Sequence, residues 1–469
     1  MESKDYPIGS FDNTVVYKKF LMSVFLAFSE PLDPKEYYDT LVKVVRRPGW
    51  DKLTARIRRN DKGELVYRIS QSFSKDHPSI TYEAVDFRDT LIADHPDGAR
   101  IPRPPSDGGP AVVGNPDDLH GLVYGPKTPK RLRDYLDSDQ SLLGLRFVSF
   151  KDATVIVLHW MHLAFDAMAL KSLLDAWSLS LKGKHDEIAK PIPLHTYPLG
   201  DLGKNPKEAH VLADRQMSMF GIAWWALRNF FRLAIRKKEH RMVCVPAKVL
   251  AMLKQDALRY LETQNNGTEF LSDGDILVAW LTRLSLSDSK RSVTIQQAYD
   301  WRPVLEDRLP PGNPFLSNCV GFLVTHLPAS DLLTKPLGYL AGKIRGSITG
   351  QHPLEQVEAY CSLVRQYPKW KLPPFFGCSS MDLRMFSNWS KAKFYNLDLS
   401  DAQCKPLQPY YVQTVQGPYE FTDGIIIVGK DVDGNYWLSG HKVEGEWDAI
   451  EEKMNKEWDA MKKRMKKDS

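Results

Sequence analysis

The stretch from Leu142 to Leu181 restricts the fold more than any other. Its opening runs, LLGLRFVSF and ATVIVLHW, are rich in β-branched and aromatic residues and are separated by Lys151–Asp152. That pattern predicts two buried strands joined at a tight turn. Ala167 to Leu181, AMALKSLLDAWSLSL, then carries apolar residues at helical spacing. A strand feeding a helix leaves His162 and Asp166 four apart at the junction, where loops line a crevice. A histidine there takes and returns a proton near neutrality, because its ordinary pKa is about 6.5. The carboxylate four residues on can orient the ring or pair with an arginine elsewhere. HxxxD spacing alone leaves a second reading open, a core histidine satisfied by a backbone carbonyl.

Strand and helix signals alternate through the rest of the 469 residues. Leu41–Arg59 reads as a helix running into a strand, Pro96–Pro129 as a long surface loop, and the proline-punctuated 184–210 as a linker. Beyond it come a strand at Arg241–Pro246, a helix at Ala247–Thr263 and a second helix opening at Ser272–Asp273, with Asp275 in its first turn. Ser292–Tyr299 alternates as a strand, Gly424–Gly429 and Tyr436–Ser439 flank a hairpin turn, and Trp447–Lys463 closes the chain as a helix. Met219–Ile235, MFGIAWWALRNFFRLAI, is apolar around most of its circumference; it reads as a crossover helix packed on the core, or as a weak peripheral membrane contact. No apolar run reaches 18 residues, so no transmembrane helix is expected.

Charge and cysteine content exclude other classes. Sixty-three Lys and Arg against 58 Asp and Glu leave +5, too dilute for a nucleic-acid binder. Five scattered cysteines with no CxxC pair suit a reducing, cytoplasmic setting better than a disulfide framework or zinc site. His159 and His162 form HxxH, but three apart on a strand they point to opposite faces, and no metal is expected.

The segment HWMHLAFDAMALKSLLDAW resembles the HxxxD region of the BAHD acyltransferase superfamily, in particular its fungal secondary-metabolite branch of trichothecene-type O-acetyltransferases. Further segments resemble the family in the same order. YDTLVKVVRRPGWDKLTARIRRNDKGELVY looks like its N-terminal helix and strand, and LSDGDILVAWLTRL like the helix that opens its second domain. DWRPVLEDRLPPGNPFLSNCVG is similar to its arginine-containing strand and following loop. FYNLDLSDAQCKP stands where the DFGWG signature belongs, but only Asp398, Lys405 and Pro406 of the longer fungal form remain; Ser400, Ala402 and Cys404 replace its glycines.

The resemblance implies an α/β fold of two similar chloramphenicol-acetyltransferase-like domains, each a mixed sheet with flanking helices, with a channel between them. Residues 1–195 would form the first, 196–240 a crossover linker and helix, and 241–469 the second. It implies an O-acyltransferase, most simply an acetyltransferase, that binds no resident cofactor, uses acyl-CoA as co-substrate and acts as a monomer on a lipophilic natural product. His162 would be the general base and Asp166 a structural partner of Arg302, with Asp398 bracing the CoA-side loop. Ser317, Asn318 and Lys405 are candidates for contact with substrate or CoA, and a structural turn is the other reading of Ser317 and Asn318. Two alternatives remain at this point: a condensation-type enzyme using carrier-bound substrates, and a non-acylating, pericyclase-like catalyst on the same fold.

Overall fold

The computed structural model describes residues 2–264, 270–286, 291–366, 372–401, 405–417 and 424–468. Its strands, in chain order, are β1 (Ser3–Pro7), β2 (Leu21–Phe28), β3 (Arg56–Arg59), β4 (Leu65–Ser70), β5 (Thr81–Phe87), β6 (Ala111–Gly114), β7 (Leu143–Phe150) and β8 (Thr154–Met161). They continue with β9 (Lys238–Val245), β10 (Val293–Asp300), β11 (Val320–Leu327), β12 (Asp382–Asn388), β13 (Tyr411–Gly417), β14 (Gly424–Lys430) and β15 (Tyr436–Val443). A five-stranded sheet has the order β13-β2-β8-β7-β5 and a seven-stranded sheet the order β11-β10-β12-β14-β15-β9-β6; β1-β4-β3 form a small third sheet. Both large sheets are mixed. β5–β7 is the parallel pair of the first, and β10–β12 and β12–β14 are parallel in the second.

The two sheets exchange strands, since β6 edges the seven-stranded sheet while β13 joins the five-stranded one beside β2. This corrects the reading of Pro96–Pro129 as loop throughout. A four-residue strand between Pro and Gly clusters is too short to show alternation, and β9 supplies the pairing that fixes it. Every residue of β2, β7 and β8 is buried, as expected of strands covered on both faces. Their core runs on into Leu316, Trp389, Phe394, Leu399, Tyr411 and Trp437, so one apolar mass spans both large sheets.

Two helices, α1 (Pro34–Val45) and α2 (Ala167–Leu181), bear on the site. Helix α1 starts at Asp33, whose carboxylate accepts the Lys35 N–H. Helix α2 packs beside α1, and its Trp177 Nε1 donates to the Tyr37 carbonyl at 3.2 Å. Helix α3 (Met219–Phe230) runs into a π-helical turn at Phe231–Ile235. Helix α3 packs through one side alone, on a small apolar cluster with Met217, Met381 and Leu383, rather than around its circumference: only Trp225 and Asn229 of α3 are buried. The helix opening at Ser272 is present as read, with Ser272 and Asp275 forming a reciprocal capping box.

Candidate active site

The HxxxD turn begins where β8 ends. His162 is the first residue after the strand, and its N–H donates to the Phe20 carbonyl at 2.9 Å. Asp166 is the N-cap of α2 and accepts the N–H groups of Met168 (3.1 Å) and Ala169 (3.0 Å). Capping satisfies donors that a helix start leaves open, and the carboxylate suits the positive end of the helix dipole.

Each carbonyl between the two motif residues is held by a side-chain donor. Asn318 Nδ2 donates to His162 O (2.8 Å), Tyr67 OH to Leu163 O (2.7 Å), Lys52 Nζ to Ala164 O (2.8 Å) and Trp160 Nε1 to Phe165 O (3.0 Å). All four donors belong to buried residues, so the turn that carries His162 is fixed at every peptide. Lys52, only 2% exposed, also donates to Ser317 Oγ at 2.8 Å and to the Leu316 carbonyl, and lies over the Tyr67 ring. Burial holds its ammonium down at about 8.

Asp166 Oδ2 and Oδ1 each accept from the Arg302 guanidinium at 3.0 Å, and the Cys319 N–H donates to Oδ2 at 2.8 Å. Arg302 sits just past β10 and also donates to Asp300 Oδ1 (2.8 Å) and to the carbonyls of Phe315 (3.1 Å) and Ser317 (2.9 Å). The fork therefore ties α2 to the loop before β11. Asp398 sits at the other end of α2: Lys182 Nζ donates to its Oδ2 at 2.6 Å, while Oδ1 accepts the N–H groups of Ser400 and Leu407. Although partial burial opposes it, these donors hold the Asp398 carboxyl down at about 2.

The His162 ring is half-buried and stacks on Tyr17 with centroids 4.2 Å apart and planes 17° apart. Burial pulls its pKa below 6.5, and its own backbone, Asp166 and Asn318 offset part of that pull. The imidazole is therefore neutral at pH 7, the form a general base requires. Asp12 accepts both the backbone N–H and Nδ2 of Asn318 at 2.7 Å, and burial raises its carboxyl to about 6. Asp12 Oδ2, Asn13 Oδ1, His162 Nδ1 and Asn318 Oδ1 are buried without a hydrogen-bond partner among the described residues.

The structure thus brings His162, Asp166, Arg302, Ser317 and Asn318 together. Asp398 is joined to them through α2, and Lys405 is exposed beyond the undescribed residues 402–404, which include Ala402 and Cys404. The Ser317 hydroxyl is engaged by Lys52 and the Asn318 amide by His162 and Asp12. Asp12 and Tyr17 escaped the sequence reading because their segment carries no motif, and Lys52 because nothing in its own family-like segment signals that the lysine is buried. His159, the other half of HxxH, is buried inside the sheet, and burial lowers it to about 4. Gly144 lies opposite it on β7, where a Cβ would overlap its ring.

One His/Asp group among the described residues, Asp117, His240 and His441, has ligand-capable atoms within 4.8 Å of one another. Its imidazoles stack at 3.9 Å with planes 17° apart, so their in-plane lone pairs do not converge, and His240 Nδ1 is already bonded to Asp117 at 2.9 Å.

The mixed sheets with flanking helices form a chloramphenicol-acetyltransferase-like fold. No protein-family model matches the chain. The chain is 32% identical over 461 residues to "Transcriptional regulator calD" of Penicillium decumbens and 31% identical over 460 residues to "Acetyltransferase adrJ" of Penicillium rubens, covering 92% of every chain involved. The F. graminearum TRI101 structure complexed with ethyl coenzyme A superposes with a TM-score of 0.68 at 14% identity, over 95% of this chain and 96% of that one. The chain belongs to the BAHD-like acyltransferases of fungal secondary metabolism, for which acyl-CoA is a co-substrate.

Proposed function

We propose that this enzyme transfers an acyl group, most simply acetyl, from acyl-CoA to a hydroxyl of a lipophilic natural product, with His162 as general base. The observation that carries this is an imidazole at a strand end, on a turn whose four carbonyls are all clamped. As the acceptor oxygen attacks the thioester carbonyl, its proton passes to His162. The tetrahedral intermediate then collapses, the C–S bond breaks, and the imidazolium returns the proton to the departing CoA thiolate. No covalent enzyme intermediate is needed when both substrates are bound together, because positioning and a single base carry the rate.

Asp166 is turned away from the reaction, since Arg302, Cys319 N–H and the start of α2 use its oxygens. Its role in this reading is to aim the turn. The Tyr17 stack fixes the plane of the His162 ring. We further read the protein as a cytoplasmic monomer, in keeping with its near-balanced charge and the free thiols of Cys244, Cys319, Cys361 and Cys378.

The test follows free thiol released from acetyl-CoA, with and without a fungal metabolite extract as acceptor source. Extract-dependent release that His162→Ala abolishes supports the reading. Unchanged release in His162→Ala overturns it.

A further inference from the structure

Helix α3 carries an apolar stripe that faces away from the protein. Phe220, Trp224, Leu227, Phe231 and Ile235 are 81%, 50%, 64%, 73% and 57% exposed. Steps of four, three, four and four place them along one side of the helix and its π-helical continuation. The opposite side is fastened down. Trp225 Nε1 donates to the Met381 carbonyl at 3.1 Å, and Trp225 packs with Met217, Met381 and Leu383. Asn229 Oδ1 accepts from Arg291, and Arg232 pairs with Glu446 at 3.0 Å and Asp382 at 3.6 Å. The stripe is therefore presented on a seated helix.

Charge separates the occupants. Residues 219–238 contain five basic side chains (Arg228, Arg232, Arg236, Lys237 and Lys238) and no acidic one. Arg228, Arg236 and Lys237 are exposed, and the neighbouring acids Glu446, Asp382 and Glu444 already pair with Arg232 or Lys237. A second copy meeting this face across a two-fold axis would set the basic cluster against itself. An anionic bilayer surface satisfies both halves of the pattern, because its interface accepts Trp and Phe rings while its headgroups attract Arg and Lys.

We propose that α3 is a peripheral membrane anchor that lays Phe220, Trp224, Leu227, Phe231 and Ile235 into the interfacial layer of an anionic membrane, with Arg228, Arg236 and Lys237 at the headgroups. No described helix is long and apolar enough to cross a membrane, so the contact is one-sided. It requires nothing of the acyl-transfer chemistry and stands whether or not that reading holds.

The full-length protein is sedimented with vesicles of phosphatidylcholine alone and of phosphatidylcholine with phosphatidylserine. Binding is expected to favour the anionic vesicles, to weaken with salt, and to fall at least about tenfold in the triple variant Phe220→Ser, Leu227→Ser, Phe231→Ser. Reversing Arg228, Arg236 and Lys237 to Glu should remove the anionic preference. The replaced side chains are exposed, so melting temperatures matching the parent's will confirm that the variants fold. Equal sedimentation of parent and triple variant overturns the proposal. So does a parent dimer, by light scattering, that the triple variant converts to monomer, since the stripe would then be a self-interface.

Discussion

Removing the Arg302 guanidinium tests the architecture of the site at one point. Asp166 accepts five hydrogen bonds: two from Arg302 at 3.0 Å, one from Cys319 N–H at 2.8 Å and two from the first turn of α2. Arg302→Met takes away the two charge-assisted bonds and the counter-ion, and leaves a buried carboxylate on neutral donors alone. It also strips the Phe315 and Ser317 carbonyls of a donor. Breaking a buried pair from one side costs about 3–5 kcal/mol. Against a total stability of about 5–15 kcal/mol, the variant should still fold but unfold at clearly lower urea. Asp166→Asn keeps an oxygen to cap α2 and removes the charge, and Arg302 retains Asp300; it should cost less, about 2–3 kcal/mol. In the double variant Asp166 carries no charge to be stranded, although Asp300 still loses its partner as in Arg302→Met, so the two losses should fall short of adding by about 1–3 kcal/mol. Equilibrium urea unfolding followed by tryptophan fluorescence measures all four proteins. Strict additivity, or an Arg302→Met midpoint equal to the parent's, would refute the claim that this pair holds α2 to the second large sheet.

The remaining predictions concern the base and its support. His162→Ala should lower kcat/KM for acyl transfer by about 10²–10⁴-fold while leaving the melting temperature close to the parent's. Because burial depresses the His162 pKa, the acid limb of kcat/KM against pH should have its midpoint below 6.5, and a midpoint above that value would contradict the assignment. Lys52→Met orphans the Ala164 and Leu316 carbonyls and the Ser317 hydroxyl; it should destabilise by about 3 kcal/mol and reduce kcat more than it raises KM, read by urea unfolding and steady-state kinetics.

Local elements were legible because local signals dictate them. Helix α2 spans Ala167–Leu181 as its periodicity reads, since Asp166 is a strong N-cap and the apolar spacing is unbroken. The β7–β8 pair follows from two runs of residues that fit only a strand buried on both faces. The Asp166–Arg302 pairing, between residues 136 apart, came from family resemblance, because no periodicity links such distant positions. Lys52 was invisible: a lysine after Trp50–Asp51 reads as surface, and only the assembled fold offers three buried acceptors around its ammonium. Short β6 was misread, and the sequence left two readings of α3 open, for the same physical reason. Hydrophobicity reports that a side chain prefers to leave water, not which partner receives it.

The two signature aspartates act on opposite ends of one helix, and a third carboxylate, Asp12, answers acid in the opposite way to Asp398. Asp166 caps the first turn of α2 against Arg302; Asp398 takes Lys182, just past its last turn, and Ser178 Oγ donates to the Asp398 carbonyl. Asp398 is the more exposed, so Asp398→Asn should cost about 1 kcal/mol or less at pH 7. Its folded pKa of about 2 lies below the ordinary 3.8, so its contribution is complete above pH 3.8 and is lost as pH falls toward 2. Asp12 behaves in reverse: burial lifts it to about 6, so the folded state holds an extra proton, and its effect erodes stability as pH rises from about 4 to 6. Asp12→Asn should therefore flatten the pH dependence of stability between pH 4 and 6, whereas Asp398→Asn should flatten it below pH 4. Melting temperatures across pH 2.5–7 separate the two. If Asp398→Asn instead changed the slope between pH 4 and 6, the loop after β12 would not be held by an ionised Asp398, and its tie to α2 would have to lie elsewhere.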